Sequence, residues 1–266
     1  MPASLRFTDI HCHMLPGMDD GAANVPDALA MARMAAADGI ATIVTTPHQQ
    51  GNFGQNSGDL IRRRSREFQQ LLVEQDVPLK ILPGADVRIE PDLVRRIAAG
   101  EVLTLADQRR HVLLELPHEV YLPLDRLLGE LAGAGLVGIL SHPERNLGIL
   151  AQPQVLEPLV ADGCLLQITA GSLMGTFGRQ SQMFAEWLVR EGLVHFVATD
   201  AHSPTARRPL IQRAFQRLVE LVGQSMAIEL CANNPARVAA GKSVTAGMHR
   251  PTRWRWTDWF RRRGAA

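Results

Sequence analysis

The sequence predicts an α/β fold built from parallel βα units, with a functional site gathered at the C-terminal ends of its strands. Three observations carry this expectation. About seven short apolar runs punctuate the chain, with the length and composition of buried strands. Segments with helical spacing of apolar residues lie between them, and strands that alternate with helices pair in parallel. Nearly every run ends in a histidine or a carboxylate, and in closed α/β barrels the active site forms at that end.

The elements follow in order. The first run, residues 5–10, leads into His11-Cys12-His13. Residues two apart on a strand share a face, so both imidazoles can meet one ion. Neutral imidazole is the commonest metal-ligating side chain near neutral pH. A helical pattern at 25–37 precedes the run 41–46, which ends at Pro47-His48. A second helix, 60–73, leads to the run 79–87, ending around Asp86. The run 111–114 delivers Glu115, and after a helix at 124–134 the run 136–140 delivers Ser141-His142-Pro143-Glu144-Arg145. The run 164–168 ends without an obvious ligand. After a helix at 183–191, the run 195–198 ends at Thr199-Asp200-Ala201-His202, which repeats the same-face spacing. A helix at 210–222 follows.

Taken singly, His48 or His142 reads as a satisfied structural histidine, and Asp86 could cap a helix or pair with Arg88. Six or more such residues at equivalent strand ends point instead to one shared site. His111, His118, His195 and His249 lack this placement and read as structural. Histidines and carboxylates without thiolates suit Mn²⁺, Fe²⁺ or Zn²⁺. Clustered divalent ions lower the pKa of bound water and make it a nucleophile. Arg145 and Arg207, close behind two of these motifs, suit bidentate binding of an anionic oxygen group.

The stretch His11-Cys12-His13-Met14-Leu15-Pro16-Gly17-Met18-Asp19-Asp20-Gly21 resembles the opening motif of the polymerase-and-histidinol-phosphatase superfamily. More narrowly it resembles the manganese-dependent bacterial protein-tyrosine phosphatases encoded with capsule and exopolysaccharide genes. Supporting stretches are Thr45-Thr46-Pro47-His48, Leu82-Pro83-Gly84-Ala85-Asp86-Val87-Arg88, Ser141-His142-Pro143-Glu144-Arg145-Asn146 and Thr199-Asp200-Ala201-His202. The likeness runs from about Phe7 to about Val238. It implies a distorted (β/α)7 TIM-like barrel with two or three Mn²⁺ ions in its mouth. His11, His13, His48, Glu115, His142, Asp200 and His202 would then be ligands, with Asp20 as a ligand or close neighbour and Arg145 and Arg207 as catalytic arginines. Asp86 stands where the family carries Glu; the shorter carboxylate would weaken one ion position or need a backbone shift. Gln49 stands where relatives often carry a second His and receives no role. The implied substrate is phosphotyrosine on a bacterial tyrosine autokinase that controls polysaccharide synthesis, attacked by metal-activated hydroxide. A small-molecule phosphomonoesterase acting on a compound such as histidinol phosphate is the alternative of the same superfamily. A non-catalytic kinase-binding partner is the alternative from another class.

Cys231-Ala232-Asn233-Asn234-Pro235-Ala236-Arg237 matches the C-x5-R spacing of cysteine-dependent tyrosine phosphatases. That chemistry wraps backbone N–H groups around phosphate in a turn after a strand. Here residues 223–230 read as helix and the loop has no glycine. Cys12 reads as packing on the far face of its strand. The 266 residues suit one barrel domain over 1–247. A net charge of +1 gives no pull toward nucleic acid, and three scattered cysteines suggest a reducing compartment. With no room for a signal peptide before the first run, a cytoplasmic protein is expected. The tail, 248–266, carries six arginines between Arg250 and Arg263 with Trp254, Trp256 and Trp259. That composition suits peripheral contact with the inner face of a membrane, which lipid co-sedimentation with and without the tail would separate from a plain packed tail. No feature of the sequence fixes an oligomeric state.

Overall fold

The chain is described for residues 5–244 in a computed structural model. Its strands are β1 (Phe7–Cys12), β2 (Ile40–Thr45), β3 (His48–Gln49), β4 (Lys80–Pro83), β5 (Asp86–Arg88), β6 (His111–Glu115), β7 (Val137–Ser141), β8 (Leu165–Thr169) and β9 (Phe196–Ala198). All neighbouring strands pair in parallel. Each predicted run contains a strand, and helices occupy the connections. The helix Val25–Ala37 shows why: Asn24 Oδ1 accepts from Asp27 N at 2.9 Å, and Ala28, Met31, Ala32 and Ala35 form one buried stripe.

One predicted run, 79–87, is interrupted, and the run 41–46 is followed by a separate short strand, which changes the sheet. β2 gives way to β3 at Thr46-Pro47, and β4 to β5 at Gly84-Ala85. Pro47 has no N–H to place in a ladder, while its carbonyl accepts from Asp86 N at 3.2 Å. Gly84 allows a close approach, since a Cβ there would lie 2.7 Å from Val44 Cγ1. The hydrogen-bonded strands therefore divide into two parallel sheets, β1-β2-β4 and β3-β5-β6-β7-β8-β9, where one closed ladder was expected.

At the opposite seam β1 meets the segment after β9. Asp200 N donates to His11 O at 2.7 Å, and His13 N to Ala201 O at 2.9 Å. Asp9, fully buried, accepts from Thr199 Oγ1 at 2.5 Å and Thr199 N at 3.1 Å. Its burial pushes the carboxyl up to about 6, against the pull of those hydrogen bonds.

A small apolar cluster gathers Ile10, Val44, Leu82, Leu113, Ile139, Leu165 and Phe196, each from a different run, with Leu105, Ala106 and Val238 from segments outside the strands. A larger cluster lies between the sheets and the helices. Polar side chains begin where the inner layer stops, at His11, Glu115, Ser141 and Asp200. Helices too short to read from periodicity, such as Leu93–Ala98, Leu147–Ala151, Leu156–Ala161 and Asn234–Ala239, complete the shell. Among the described residues, no helix is long and apolar enough to cross a membrane. The arginine- and tryptophan-rich tail and His249 lie outside the described residues.

His195 provides a test of the packing. It is buried, and its Nδ1 accepts from Leu166 N at 3.1 Å, which requires the neutral ring. Burial lowers its pKa from 6.5 to about 4. A depressed histidine pKa means the unfolded chain binds the proton first, so this stability is complete above about pH 6.5 and is lost as pH falls toward 4. The loss is up to roughly 3 kcal/mol. Urea midpoints measured at pH 7.5 and 5 should fall with acid, and His195→Asn should flatten that dependence. An unaltered slope would contradict the assignment.

Candidate metal centre

His11 and His13 sit at the end of β1, where the register with β2 slips between Asp9 and Cys12. Each ring is fixed through its Nδ1. His11 Nδ1 lies 2.8 Å from Gln167 Oε1, and Gln167 Nε2 donates to Ile168 O at 2.8 Å, so the amide oxygen faces the ring. His13 Nδ1 lies 2.7 Å from Asp19 Oδ2. Asp19 also accepts from His48 N at 2.8 Å and Gly21 N at 2.9 Å. Gly21 is required here, because a Cβ would fall 2.1 Å from His13 O. A partner on Nδ1 sets the tautomer and leaves Nε2 as the free donor atom. The two Nε2 atoms point at one another across 3.1 Å.

The remaining strand ends converge on these two rings. Four overlapping groups form: His13, Asp20, His48 and His202; His11, His142 and Asp200; His11, His13 and Asp86; and His48, Asp86 and Glu115. Within each group the ligand atoms lie within 4.8 Å of one another. Asp86 Oδ2 is 3.5 Å from both His11 Nε2 and His48 Nδ1, so this shorter carboxylate reaches two groups at once. Asp20 reaches in from the rim, 3.4 Å from His48 Nε2 and 3.5 Å from His202 Nε2. Two members leave their strands through left-handed backbone, His142 at φ 33° and Asp200 at φ 50°. Such conformations cost on the order of 1 kcal/mol and concentrate at functional sites.

The electrostatics ask for a cation. Asp86 is fully buried, yet neither carboxylate oxygen has a hydrogen-bond partner, and His48 Nδ1 also lacks one. Burial opposes charge throughout the cluster. At His13, Asp19 and Asp200 outweigh it and hold the pKa up at about 10. At His142 burial prevails and the pKa falls to about 3; at His202 burial and then the charge of His13 lower it to about 2. Burial, then Asp86, pushes Glu115 up to about 8. Imidazole nitrogens and carboxylate oxygens stripped of water in this way fit divalent ions of the Mn²⁺, Fe²⁺ and Zn²⁺ class.

Asp200 joins this cluster to two arginines. Its Oδ1 lies 3.3 Å from His11 Nε2 and 3.5 Å from His13 Nε2. Its Oδ2 accepts from Arg145 Nη1 at 2.5 Å and from Arg207 Nη2. Both guanidinium groups lie by the ring of Phe177, with Cζ 4.0 Å from the centroid for Arg145 and 5.7 Å for Arg207. They line one wall of a cavity of about 210 Å³ with Asp20, His48, Glu115, His142 and His202 around it. His118, read as structural from sequence, is exposed and lines the same cavity.

A family model described as capsular polysaccharide synthesis, CpsB/CapC, matches residues 7–240. This chain belongs to the CpsB/CapC family. The tyrosine-protein phosphatase YwqE of Bacillus subtilis is 37% identical over 227 residues, covering 85% of this chain and 89% of YwqE. The tyrosine-protein phosphatase CpsB of Streptococcus pneumoniae is 25% identical over 235 residues, covering 86% and 97%. Among solved structures, those of YwqE and CpsB are described as unique metal-dependent tyrosine phosphatases. One such chain matches with a TM-score of 0.88 at 34% identity, covering 93% of this chain and 100% of its own.

In this CpsB/CapC chain Cys231 sits in a π-helical turn, Glu229–Asn233, between two helices. It is fully buried, which pushes its thiol well above the ordinary value. Arg237 is occupied by Glu229 and Asn234, at 2.7 Å each. The C-x5-R match is therefore a helical coincidence. Cys12 is likewise buried, its Sγ 3.9 Å from Ala201 O. Gln49, given no role from sequence, ties its segment down by donating to Asn56 O and Glu101 O and accepting from Leu103 N.

Sequence reasoning missed Asp19, Gln167 and Phe177. The Asp19-Asp20 pair offered a signal, but spacing alone does not say which acid faces His13. Gln167 sits mid-strand and carries no charge, and Phe177 lies in a loop that no periodicity places.

Proposed function

We propose that this CpsB/CapC chain is a metal-dependent protein-tyrosine phosphatase. Its substrate is phosphotyrosine on a bacterial tyrosine kinase of polysaccharide synthesis, and Mn²⁺ is its ion. The proposal extends to the fold, a distorted (β/α)7 barrel. The seven inward apolar residues and the β1–β9 seam hydrogen bonds support that closure. One observation carries the functional reading: Asp200 faces the histidine cluster with one oxygen and two arginines with the other, at the wall of a single cavity.

In this reading His11, His13, Asp20, His48, Asp86, Glu115, His142, Asp200 and His202 hold two or three ions. When bound, such ions supply a water of lowered pKa and neutralise charge on the phosphoryl oxygens. The remaining work belongs to the chain. Gln167 and Asp19 lock the rings of His11 and His13 with Nε2 toward the other ligand residues. Arg145 and Arg207 receive the non-bridging phosphoryl oxygens bidentately, and Asp200 and Phe177 hold their planes in place. Phosphoryl transfer depends mainly on such positioning and on charge neutralisation. A tyrosinate leaving group, of pKa about 10, departs without strong protonation. The cavity is smaller than the roughly 300–1,000 Å³ of sites that engulf a whole ligand. A phosphotyrosine side chain enters it, and the rest of a peptide lies across the rim.

Turnover of a phosphotyrosine peptide and of histidinol phosphate with Mn²⁺ tests the substrate class. The peptide should be preferred by about 100-fold or more in kcat/KM, the scale of about 3 kcal/mol of differential transition-state binding. Preference for histidinol phosphate would make the protein a small-molecule phosphomonoesterase. No turnover of either would favour a non-catalytic partner.

A further inference from the structure

A second cavity, of about 130 Å³, adjoins the metal-centre cavity. The two share Arg207, which lines both. Phe177, whose ring lies against Arg145, also lines the second one. The other charged side chains on its wall are Arg208 and Arg213, with Met174 beside them, and no carboxylate lines it. Arg207 is committed to Asp200. Arg208 and Arg213 are exposed, and neither forms an ion pair among the described residues. Arg62, Arg126 and Arg217 are held by acids at 2.7–2.8 Å; what sets Arg208 and Arg213 apart from other unpaired surface arginines is that they line one cavity together with Arg207. Two unneutralised guanidinium groups beside a third, in a concave surface without an acid, favour an anion.

We propose that this second cavity is a subsite for an acidic side chain flanking the phosphotyrosine of a peptide substrate. The inference rests on the phosphatase reading above and deepens it. The metal-centre cavity is too small for a whole peptide, so the residues flanking the phosphotyrosine lie outside it. Arg207 and Phe177 form the rim on this side. A Glu or Asp near the phosphotyrosine would meet Arg208 and Arg213 there, with its methylene groups against Met174 and Phe177. The subsite selects substrates through binding and leaves the reacting atoms to the metal centre.

The test compares two peptides with the same phosphotyrosine, one flanked on both sides by Glu and one by Ala, turned over by the full chain with Mn²⁺. The Glu peptide should be favoured about tenfold in kcat/KM, mostly through KM, as expected for charge-assisted contacts at a partly exposed site. Arg208→Ala/Arg213→Ala should bring the ratio to about one, and Arg208→Glu/Arg213→Glu should push it below one. A wild-type ratio near one, or a ratio that survives both double variants, would overturn the subsite. Turnover of neither peptide would overturn the phosphatase reading and the subsite with it, a result distinct from turnover without preference.

Discussion

Asp200→Asn should lower phosphotyrosine hydrolysis by at least about 10³-fold and reduce the metal content of the purified protein. The substitution keeps the volume and removes one charge. That charge is used twice, since Oδ1 faces His11 and His13 while Oδ2 holds Arg145 and Arg207. Loss of one well-placed electrostatic contact in a desolvated site typically costs 10²–10³-fold, and weakened ion binding adds to it. The neutral amide also leaves two partly buried guanidinium groups without their acid, and breaking such a pair is destabilising. The melting temperature must therefore be measured beside kcat/KM and metal content. A folded variant with normal metal content and activity within tenfold of wild type would remove Asp200 from the proposed ligand set.

Arg145→Ala should reduce kcat/KM by about 10²-fold, and Arg207→Ala by somewhat less. The order follows from the surroundings. Arg145 is the more buried of the two, at 17% exposure against 27%, and its Cζ is the closer to Phe177. Arg207 also contributes its carbonyl oxygen, which accepts from His202 N and Ser203 N, and an alanine keeps those bonds. Inhibition by inorganic phosphate should weaken in parallel, because both arginines are proposed to bind the group that product and substrate share. Lysine at either position should restore little, since an ammonium cannot bridge two oxygens in the planar manner of a guanidinium. Unchanged phosphate inhibition in both alanine variants would contradict the clamp.

The strands were legible because buried parallel strands are continuous apolar runs, and their C-terminal ends carry conspicuous residues. His11 with His13 could be paired from a spacing of two, and they share a group with Asp86. Asp200 and His202, expected to share a strand face, lie beyond β9, where the left-handed backbone at Asp200 sends them to different groups. The long helices were legible from the same kind of local rule; the stripe at Ala28, Met31, Ala32 and Ala35 is an example. What escaped depends on contacts remote in sequence. Gln167 matters through a hydrogen bond to His11 across 156 residues. Asp19 differs from Asp20 only in which way the loop turns after Gly17. The sheet breaks at Pro47 and Gly84 could be suspected from residue type, but their consequence, two sheets in place of one, depends on which neighbours lose a partner. The helices of four to six residues are too short to display a period.

The most direct test of the metal centre is hydrolysis of a phosphotyrosine peptide by the full chain. The assay is run untreated, after EDTA, and after Mn²⁺ is restored, beside a Cys231→Ser variant. Activity should vanish on chelation, return with Mn²⁺ and be untouched by Cys231→Ser. Activity that survives EDTA and disappears with Cys231→Ser would contradict the account at its centre.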